Sequence, residues 1–319
     1  MPGIRRRQVL FAASGLAAGC SRGSIERPRS LVAISRAPGY GQDLYEIVHR
    51  LLSEVKADLR GKRIVLKPNL VEFDPGTCIN THPVFVHAVL ESCRRLGASG
   101  VLIAEGPGHR RVTLDLAEAA GYFSVIPKFE DLFVDLNVDA TTLVPMSHSH
   151  SKLSELYLPV TALGADLLVS IPKLKTHHWV GATLSMKNLF GLVPSGVYGW
   201  PKNILHWAGI HDSVADLYGL FPRQFAIVDG ITGMEGNGPI QGTPRQAGLV
   251  IAGPDLASVD NICCRVMGID PEKIEYLQMA DSRSAFHTHA PEVIGEQPQS
   301  VRTDFQLLDA FRELRLSRS

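Results

Sequence analysis

The residues best suited to chemistry follow an apolar run near the middle of the chain. The run DLLVSIP leads directly into Lys173, Lys175, His177 and His178. Because successive side chains of an extended chain point to opposite sides, a single metal ion would not bind both adjacent histidines. One inward-facing imidazole, His177, is the predicted acid–base group or ligand, with Lys173 as a second catalytic group beside it. His206, further along the chain, is a third candidate for proton transfer.

Lysine and asparagine recur together around this region. Lys187 and Asn188 stand in the segment SMKNLFG, while Lys67 and Asn69 end the apolar run IVLKPN. Lysine offers a point positive charge and asparagine an orienting amide, which together suit phosphate or carboxylate. A run of charge is more often a solvated face, but the central charges are embedded among Trp, Leu, Met and Phe. These two pairs and Lys175 are therefore predicted to bind a small anion.

A glycine-rich turn, EGPGHRRVT, follows another apolar run. Its turn, its helix start and the cations Arg110 and Arg111 together resemble an anion site, because the first backbone N–H groups of a helix are unpaired. Glu105 could bind a metal ion or act as a base. Neither G-x-x-x-x-G-K-[ST] nor G-x-G-x-x-G spacing is present, so a nucleotide site is not indicated. The alternative is an ordinary loop with surface arginines.

A second glycine-rich segment, DGITGMEGNGP, contains two carboxylates. Asp229 and Glu235 are hard oxygen ligands of the kind that Mg²⁺, Mn²⁺ or Ca²⁺ prefers. With Glu105 they form the predicted metal set. They could equally pair with the lysines of the central stretch.

These polar groups all follow strand-length apolar runs, which must position them. The runs are IVLKPN, VLIAEGPGH, LLVSIPKLKTHH, FAIVDGITGMEGNGP and GLVIAGPD. Near-continuous apolar runs of this length are typical of strands buried on both faces of a parallel sheet. Amphipathic helices between several of them predict an α/β doubly wound, mainly parallel sheet with helices on both faces and inserted loops. Ligands of such sheets bind at the carboxyl ends of the strands, so the polar endings should converge.

The sequence patterns divide the chain after residue 20 into three parts. Residues 21–30 are a polar tether, 31–280 form one α/β domain and 281–319 form a C-terminal extension with a short helix near 305–314. Segments around Asp135 and Lys152 are expected to form a small antiparallel addition. Helices are predicted from Asp43, Pro83 and Thr113, from Asp255 to about Met267, and from Pro271.

Residues 1–20 are predicted to be an export signal. Arg5, Arg6 and Arg7 precede an apolar run too short to span a bilayer. Arg6-Arg7-Gln8-Val9-Leu10 resembles a twin-arginine signal, and the segment LAAGC resembles a lipobox ending at Cys20. The protein is therefore expected to be exported, periplasmic or lipid-anchored at the cell envelope, with the signal or lipid as its only membrane contact. A cleaved signal without lipid is the alternative.

Composition narrows the function classes. The 319 residues carry 32 Lys and Arg against 32 Asp and Glu, so nothing global attracts the chain to nucleic acid. No C-x-x-C spacing occurs among the five cysteines, which argues against an iron–sulfur cluster or structural zinc. A Cys78–Cys93 bridge is conceivable in an oxidising compartment, but small buried core cysteines are favoured.

The strand endings together form a family pattern. The motifs are VLKPNLV, THP, AEGPG with RRVT, DLLVSIPKLKTH, SMKNLFGLVP, GWPKNILH, IVDGITGMEGNGP and AGPDLASVD. In combination they resemble the bacterial and archaeal "domain of unknown function 362" family, from about Ile64 to Ala280. The resemblance implies a fold more than an activity. Some relatives join ferredoxin-type cysteine clusters to this domain, and those clusters are absent here.

Two functions fit these residues. The first is an enzyme acting on a small carboxylate or phosphate, with possible assistance from a divalent metal ion. The second is an extracytoplasmic lipoprotein that binds an anionic ligand without catalysis. A titrating group beside the anion site distinguishes the enzyme from the binding protein.

Overall fold

The computed structural model describes residues 27–146 and 149–317. The predicted export signal, including Cys20, and the first part of the tether lie outside the described residues. Within the two described ranges, no helix is both long enough and apolar enough to cross a membrane.

The structure alternates strands and helices along the chain. The strands are β1 (Arg29–Arg36), β2 (Arg63–Pro68), β3 (Gly100–Glu105), β4 (Phe133–Asp135), β5 (Thr141–Pro145), β6 (Glu155–Pro159), β7 (Leu167–Ile171), β8 (Lys173–His177), β9 (Gly181–Thr183), β10 (Gln224–Glu235), β11 (Thr243–Gly253) and β12 (His287–Gly295). The α-helices are α1 (Asp43–Glu54), α2 (Pro83–Arg95), α3 (Thr113–Ala119), α4 (Tyr122–Val125), α5 (Phe129–Leu132), α6 (Val160–Leu163), α7 (Ser185–Asn188), α8 (Ser195–Tyr198), α9 (Asn203–Trp207), α10 (Ile210–Leu220), α11 (Leu256–Val266) and α12 (Glu275–Asp281). Short 3₁₀ helices occupy Leu189–Leu192, Pro271–Lys273 and Asp309–Leu314.

One mostly parallel sheet organises the molecule. Its strand order is β12-β1-β11-β10-β7-β2-β3-β4, and β8 extends it by pairing with β10 and β9. Strands β2, β3, β4 and β7 run parallel, and β10 runs parallel to both β7 and β8. The predicted α/β class with a mainly parallel sheet is confirmed. The carboxyl ends of β2, β3, β7 and β10 consequently lie at one edge.

Both faces of the sheet are covered by helices. Strand β7, LLVSI, is buried at every position, as its unbroken apolar run predicts. One core contains apolar side chains of α1, α2 and α3, and the other those of α10, α11 and α12. In α1 the buried residues are Leu44, Val48, Leu51 and Leu52, which share one face at helical spacing.

Helix starts follow the sequence signals closely, although one cap differs. Pro83 is the first residue of α2, and the Nδ1 atom of His82 accepts a hydrogen bond from the Val84 N–H. The Asp255 carboxylate caps α11 by accepting from the Ser258 N–H, as predicted. Helix α3 begins at Thr113, but its N-cap position is Val112, which provides no side-chain acceptor.

Several strands pair in a direction or with a partner that the sequence patterns did not predict. Strand β11 ends with GLVIAG, the first part of the run GLVIAGPD, and pairs antiparallel with β10 and β1. An apolar run therefore did not reveal strand direction. The segment around Asp135 is β4 of the main sheet and is not antiparallel, whereas β5 and β6 form a separate antiparallel pair. Strand β12 pairs parallel with β1, and Phe305 is fully buried, which attaches residues 281–317 to the core.

The four described cysteines are free thiols. Cys93, Cys263 and Cys264 are buried and Cys78 is half-buried. Burial raises the pKa of the Cys93 thiol to about 12, so it behaves as a small core side chain.

Candidate functional site

A cavity of about 770 Å³ opens at the carboxyl edge of the sheet. Strands β2, β3 and β8 contribute its floor, and α7, α9 and the loop before α9 contribute its walls. Of the residues predicted from sequence to bind or transform a ligand, those lining it are Lys67, Asn69, Glu105, Lys175, His177, Lys187, Asn188 and His206. The convergence expected for strand ends is observed for five of them, on or directly after β2, β3 and β8, whereas the other three reach the cavity from α7 and α9.

Lys67 and Glu105 form a fully buried ion pair in the floor. The Lys67 Nζ atom lies 2.8 Å from Glu105 Oε2 and 3.0 Å from Asn188 Oδ1, and it also donates to the Pro68 carbonyl. Glu105 additionally accepts from the Leu70 and Gly106 N–H groups. An ammonium group has three protons, so Lys67 has no proton left for a ligand. The pair is electrically neutral and sets the shape of the floor.

Close backbone approach makes this floor possible. A Cβ atom on Gly191 would overlap the Glu105 carboxylate and the Lys67 side chain. Asn188 connects the neighbouring strands, because its Nδ2 atom donates to the Lys67 carbonyl and to Ser170 Oγ, each at 3.0 Å. Asn188 therefore positions Lys67, and its amide is occupied by the protein.

Lys175 is buried but has no carboxylate partner in the part of the chain that the structure describes. Its Nζ atom donates to Asn69 Oδ1 at 2.6 Å and to the carbonyls of Ile79 and Pro239. All three acceptors are neutral, so its charge is solvated but not compensated. Burial, reinforced by the charge of Lys173, lowers the pKa of Lys175 to about 7.

Lys202 is a cavity residue that the sequence analysis missed. It precedes α9, has a backbone φ of 65° and is 2% exposed. Its Nζ atom donates to the Gly106 and Phe190 carbonyls, which leaves one proton free. Burial lowers the pKa of Lys202 to about 7. The motif GWPKN contained the only signal, and nothing in it shows that this loop folds over the strand ends.

Lys187 is the cation best placed to meet a ligand. Its Nζ atom lies 3.6 Å from the centroid of the Phe190 ring. Among the described residues it has no hydrogen-bond acceptor and no carboxylate partner, so its three protons face the cavity or the ring. Burial, and to a lesser extent the charge of Lys67, lowers the pKa of Lys187 to about 7.

The histidines of the cavity have complementary tautomers. His177 Nδ1 accepts a hydrogen bond from the Trp179 N–H, so in neutral His177 the proton is on Nε2. His206 Nδ1 lies 3.3 Å from the Lys202 carbonyl, which can only accept, so neutral His206 has an unprotonated Nε2. Burial, followed by the charge of Lys187, lowers the pKa of both histidines. Neutral His177 is thus a donor, and neutral His206 is a proton acceptor.

An aromatic wall leads from Lys187 to the cavity mouth; we define it as Phe190, His206, Trp179 and Trp207. The ring centroids of Phe190 and His206 are 5.9 Å apart, and those of His206 and Trp179 are 5.4 Å apart. Trp179 is 56% exposed and Trp207 80% exposed, and both line the cavity.

Lys173 and Asp229 lie in a different cluster, beside a smaller cavity of about 240 Å³. Lys173 Nζ is 2.7 Å from Asp229 Oδ2 and 3.0 Å from the Tyr40 hydroxyl, which donates to Asp229 Oδ1. The His82 N–H also donates to Asp229, and its ring stacks on Tyr40 at 3.8 Å. Of the two alternatives for Asp229, metal binding or pairing with a lysine, the structure has the lysine pair.

The remaining predicted residues are outside the main cavity. Glu235 accepts from the Gln306 N–H and lies 3.7 Å from Arg245. Arg110 and Arg111 are exposed, and Arg111 pairs with Glu72 at 2.7 Å. The three predicted metal ligands therefore occupy three separate environments. Within residues 27–146 and 149–317 there is no cluster of three or more His, Cys, Asp or Glu suited to a metal ion.

The chain is similar to proteins of one described family. A family model described as "Domain of unknown function (DUF362)" matches residues 64–265, more than half of the chain. A thylakoid-associated protein from Synechocystis sp. is 30% identical over 217 residues, which cover 67% of this chain and 65% of that protein.

Two solved structures are also similar to this chain. The lactate racemase apoprotein from Thermoanaerobacterium thermosaccharolyticum aligns with a TM-score of 0.45 and 16% identity, over 76% of this chain and 58% of that one. A Thermotoga maritima protein aligns with a TM-score of 0.36 and 12% identity, over 79% and 61% of the two chains. The chain thus spans less than two thirds of each of these three proteins.

Proposed function

Since the chain belongs to the DUF362 family, whose description assigns no activity, we infer its function from the cavity. We propose that the protein is an enzyme acting on a small anionic substrate, a carboxylate or a phosphate. Lys187 and Lys202 contact the anion directly. Lys175 contributes positive potential from the floor, and the neutral Lys67–Glu105 pair shapes that floor. His206 and His177 are the groups that move protons.

The observation that carries this proposal is the unbalanced charge of the cavity. Its lining contains four lysines but only two carboxylates. Lys67 neutralises Glu105, and Arg111 neutralises Glu72. Lys175, Lys187 and Lys202 are left without a carboxylate partner among the described residues. Burying an unpaired cation is costly, and the lowered pKa values of these three lysines reflect that cost. We infer that a bound anion offsets it by stabilising their charged forms.

The chemistry follows from the protonation states. An anion beside Lys187 favours the charged ammonium and raises its pKa, so binding is coupled to proton uptake. Neutral His206 could take a proton from the substrate through Nε2, and neutral His177 could donate a hydrogen bond through its Nε2–H. Lys173, which does not line the cavity, has no part in this mechanism.

Anion binding can be measured by isothermal titration calorimetry with inorganic phosphate and with acetate. Lys187→Met should weaken binding roughly tenfold or more, because charge-assisted hydrogen bonds contribute about 1.5–3 kcal/mol. Lys152→Met, which changes an exposed lysine outside the cavity, is the matched control. Equal affinities for both variants and the wild type would remove the cavity from the proposal.

Catalysis is tested separately from binding. Carboxylates and phosphate monoesters are incubated with the protein in D₂O and followed by proton NMR, which reports both proton exchange and hydrolysis. Any turnover should be lost in His206→Asn, while bound anion is still detected by calorimetry. An anion that binds but never reacts would favour the alternative, a non-catalytic ligand-binding protein.

Metal assistance and export remain predictions. The carboxylates Glu105, Asp229 and Glu235 each have a partner in the protein, so the mechanism above assigns them no metal. Metal analysis of protein from its native host tests for a bound divalent ion. Fractionation of cells expressing the full chain, with and without Arg6→Lys and Arg7→Lys, tests the proposed twin-arginine export.

A further inference from the structure

Size distinguishes this cavity from a site for a simple inorganic anion. Pockets of about 300–1,000 Å³ hold ligands of drug size, and the cavity of about 770 Å³ is well inside that range. Phosphate or acetate bound at Lys187 would occupy only a small part of it. The rest of the volume must be matched by another part of the ligand.

The lining is segregated by chemistry. Two of the three lysines without carboxylate partners, Lys175 and Lys202, are almost fully buried, whereas the aromatic wall extends from Phe190 to the exposed rings of Trp179 and Trp207. The two sets are in contact where Lys187 Nζ rests on the Phe190 ring and where His206 Nδ1 faces the Lys202 carbonyl. A ligand with its anionic group on Lys187 would therefore have its body against His206 and Trp179.

The aromatic wall is also unusual in its exposure. Trp179 and Trp207 are two of the three tryptophans in the chain, and more than half of each is accessible to solvent. Large exposed aromatic side chains at a cavity mouth are a common way of holding flat ligand groups, because their faces stack at little cost in conformational entropy. Neither residue is needed to fill the core.

We propose that the natural ligand is an anion that also carries a planar aromatic ring, with Lys187 and Lys202 binding the charged group and Trp179, His206 and Trp207 binding the ring. This inference rests on the proposed function, because it names the substrate class of the same cavity. It makes Trp179 and Trp207 specificity-determining residues.

Matched ligand pairs test the ring separately from the charge. Calorimetry compares inorganic phosphate with phenyl phosphate, and acetate with benzoate. Phenyl phosphate and benzoate should bind roughly tenfold more tightly than their partners, since stacking of a flat ring on aromatic side chains contributes about 1–3 kcal/mol. Cyclohexyl phosphate, of similar size but not planar, should gain clearly less than phenyl phosphate.

Variants then locate the ring site. In Trp179→Ala and in Trp207→Ala the ratio of the phenyl phosphate affinity to the phosphate affinity should fall towards one. Tyr157→Ala, which removes an exposed aromatic side chain from β6, should leave the ratio at its wild-type value. Circular dichroism checks that each variant is folded.

The two proposals fail in different ways. If none of these anions binds, the proposed function is wrong. If phosphate binds but phenyl phosphate binds no more tightly, or if cyclohexyl phosphate gains as much, the planar ring is wrong and the anion site stands. An unchanged ratio in both tryptophan variants also overturns the assignment of the ring site.

Discussion

Lys173 and Lys175 lie two residues apart on β8 and are almost equally buried, at 2% and 0% exposure. Lys173 has a carboxylate at 2.7 Å and a tyrosine hydroxyl at 3.0 Å. Among the described residues, Lys175 Nζ has only neutral oxygen acceptors, and Lys187 in the same cavity has no hydrogen-bond acceptor. One region is a closed, compensated network, whereas the other has excess positive charge and an open volume.

The difference teaches that a buried lysine is a functional signal only when its counter-charge is absent. Both regions have the residue types of an active site, and Lys173 and Lys175 come from the same stretch of sequence. The Tyr40–Lys173–Asp229 cluster satisfies its own charges, so it stabilises the junction of β8, β10 and the loop before α2. In the proposed function, an entering anion supplies the counter-charge that the lysines of the main cavity lack among the described residues.

The largest expected effect is in the compensated region. Asp229→Asn leaves Lys173 buried without its counter-charge, and breaking a buried pair in this way costs about 3–5 kcal/mol. Urea unfolding measures the loss. The control is Asp309→Asn, which breaks an exposed pair with Arg312 and should cost at most about 1 kcal/mol. Similar losses in both variants would contradict the distinction between the regions.

The next largest effect tests the hydroxyl between the two charges. Tyr40→Phe removes a group that donates to Asp229 and accepts from Lys173. The variant should lose about 1.5–3 kcal/mol of unfolding free energy, since hydrogen bonds to charged groups are worth that much. Anion affinity of the main cavity should not change, because Tyr40 does not line it. Tyr157→Phe, at an exposed tyrosine, is the control in the same unfolding assay.

Gly191→Ala should damage the main cavity with a moderate loss of stability. The new methyl group would overlap the Lys67–Glu105 pair, and overpacking of this kind costs about 1–3 kcal/mol. Phosphate affinity should fall as well, because the floor of the cavity must shift. Gly39→Ala is the matched control, since nothing lies within 4 Å of the position of its Cβ atom. If both glycine variants bind phosphate like the wild type, the floor does not shape the site.

The smallest effect is a change of slope with pH. Burial lowers the pKa of Lys187 to about 7, whereas an unfolded lysine titrates near about 10.4. Between these values the unfolded chain binds a proton that the folded chain lacks, so the free energy of unfolding rises with pH. Below about pH 7 both forms are protonated and the contribution is constant.

Lys187→Met should therefore reduce the rise in the free energy of unfolding between about pH 7 and about pH 9. Part of the rise should remain, because burial also lowers the pKa of Lys175 and of Lys202 to about 7. Urea unfolding at several pH values measures the slope. Benzoate affinity should fall over the same interval as the lysines lose their protons. A wild-type slope in Lys187→Met would mean that this lysine is not the uncompensated charge inferred above.

Much of the fold was accessible from the sequence because its signals are local. Unbroken apolar runs revealed the buried strands, and Pro83 and Asp255 marked helix starts through groups acting within a single turn. Strand direction was less accessible. The run in β11 resembles that of β7, yet β11 is antiparallel to both neighbours, since direction depends on the connections and not on the run itself.

The candidate site divides in the same way. The sequence by itself determined that lysines, asparagines and histidines follow the strands. The fold then brings eight of the predicted residues to one cavity, five from β2, β3 and β8 and three from α7 and α9. Tertiary structure alone decided which cations are compensated, because Glu105 and Asp229 reach Lys67 and Lys173 across neighbouring strands. It also decided that Lys202 enters the site, because the loop before α9 folds over the strand ends. Charge compensation depends on distances of a few ångströms between residues far apart in the chain, and no local pattern encodes those distances.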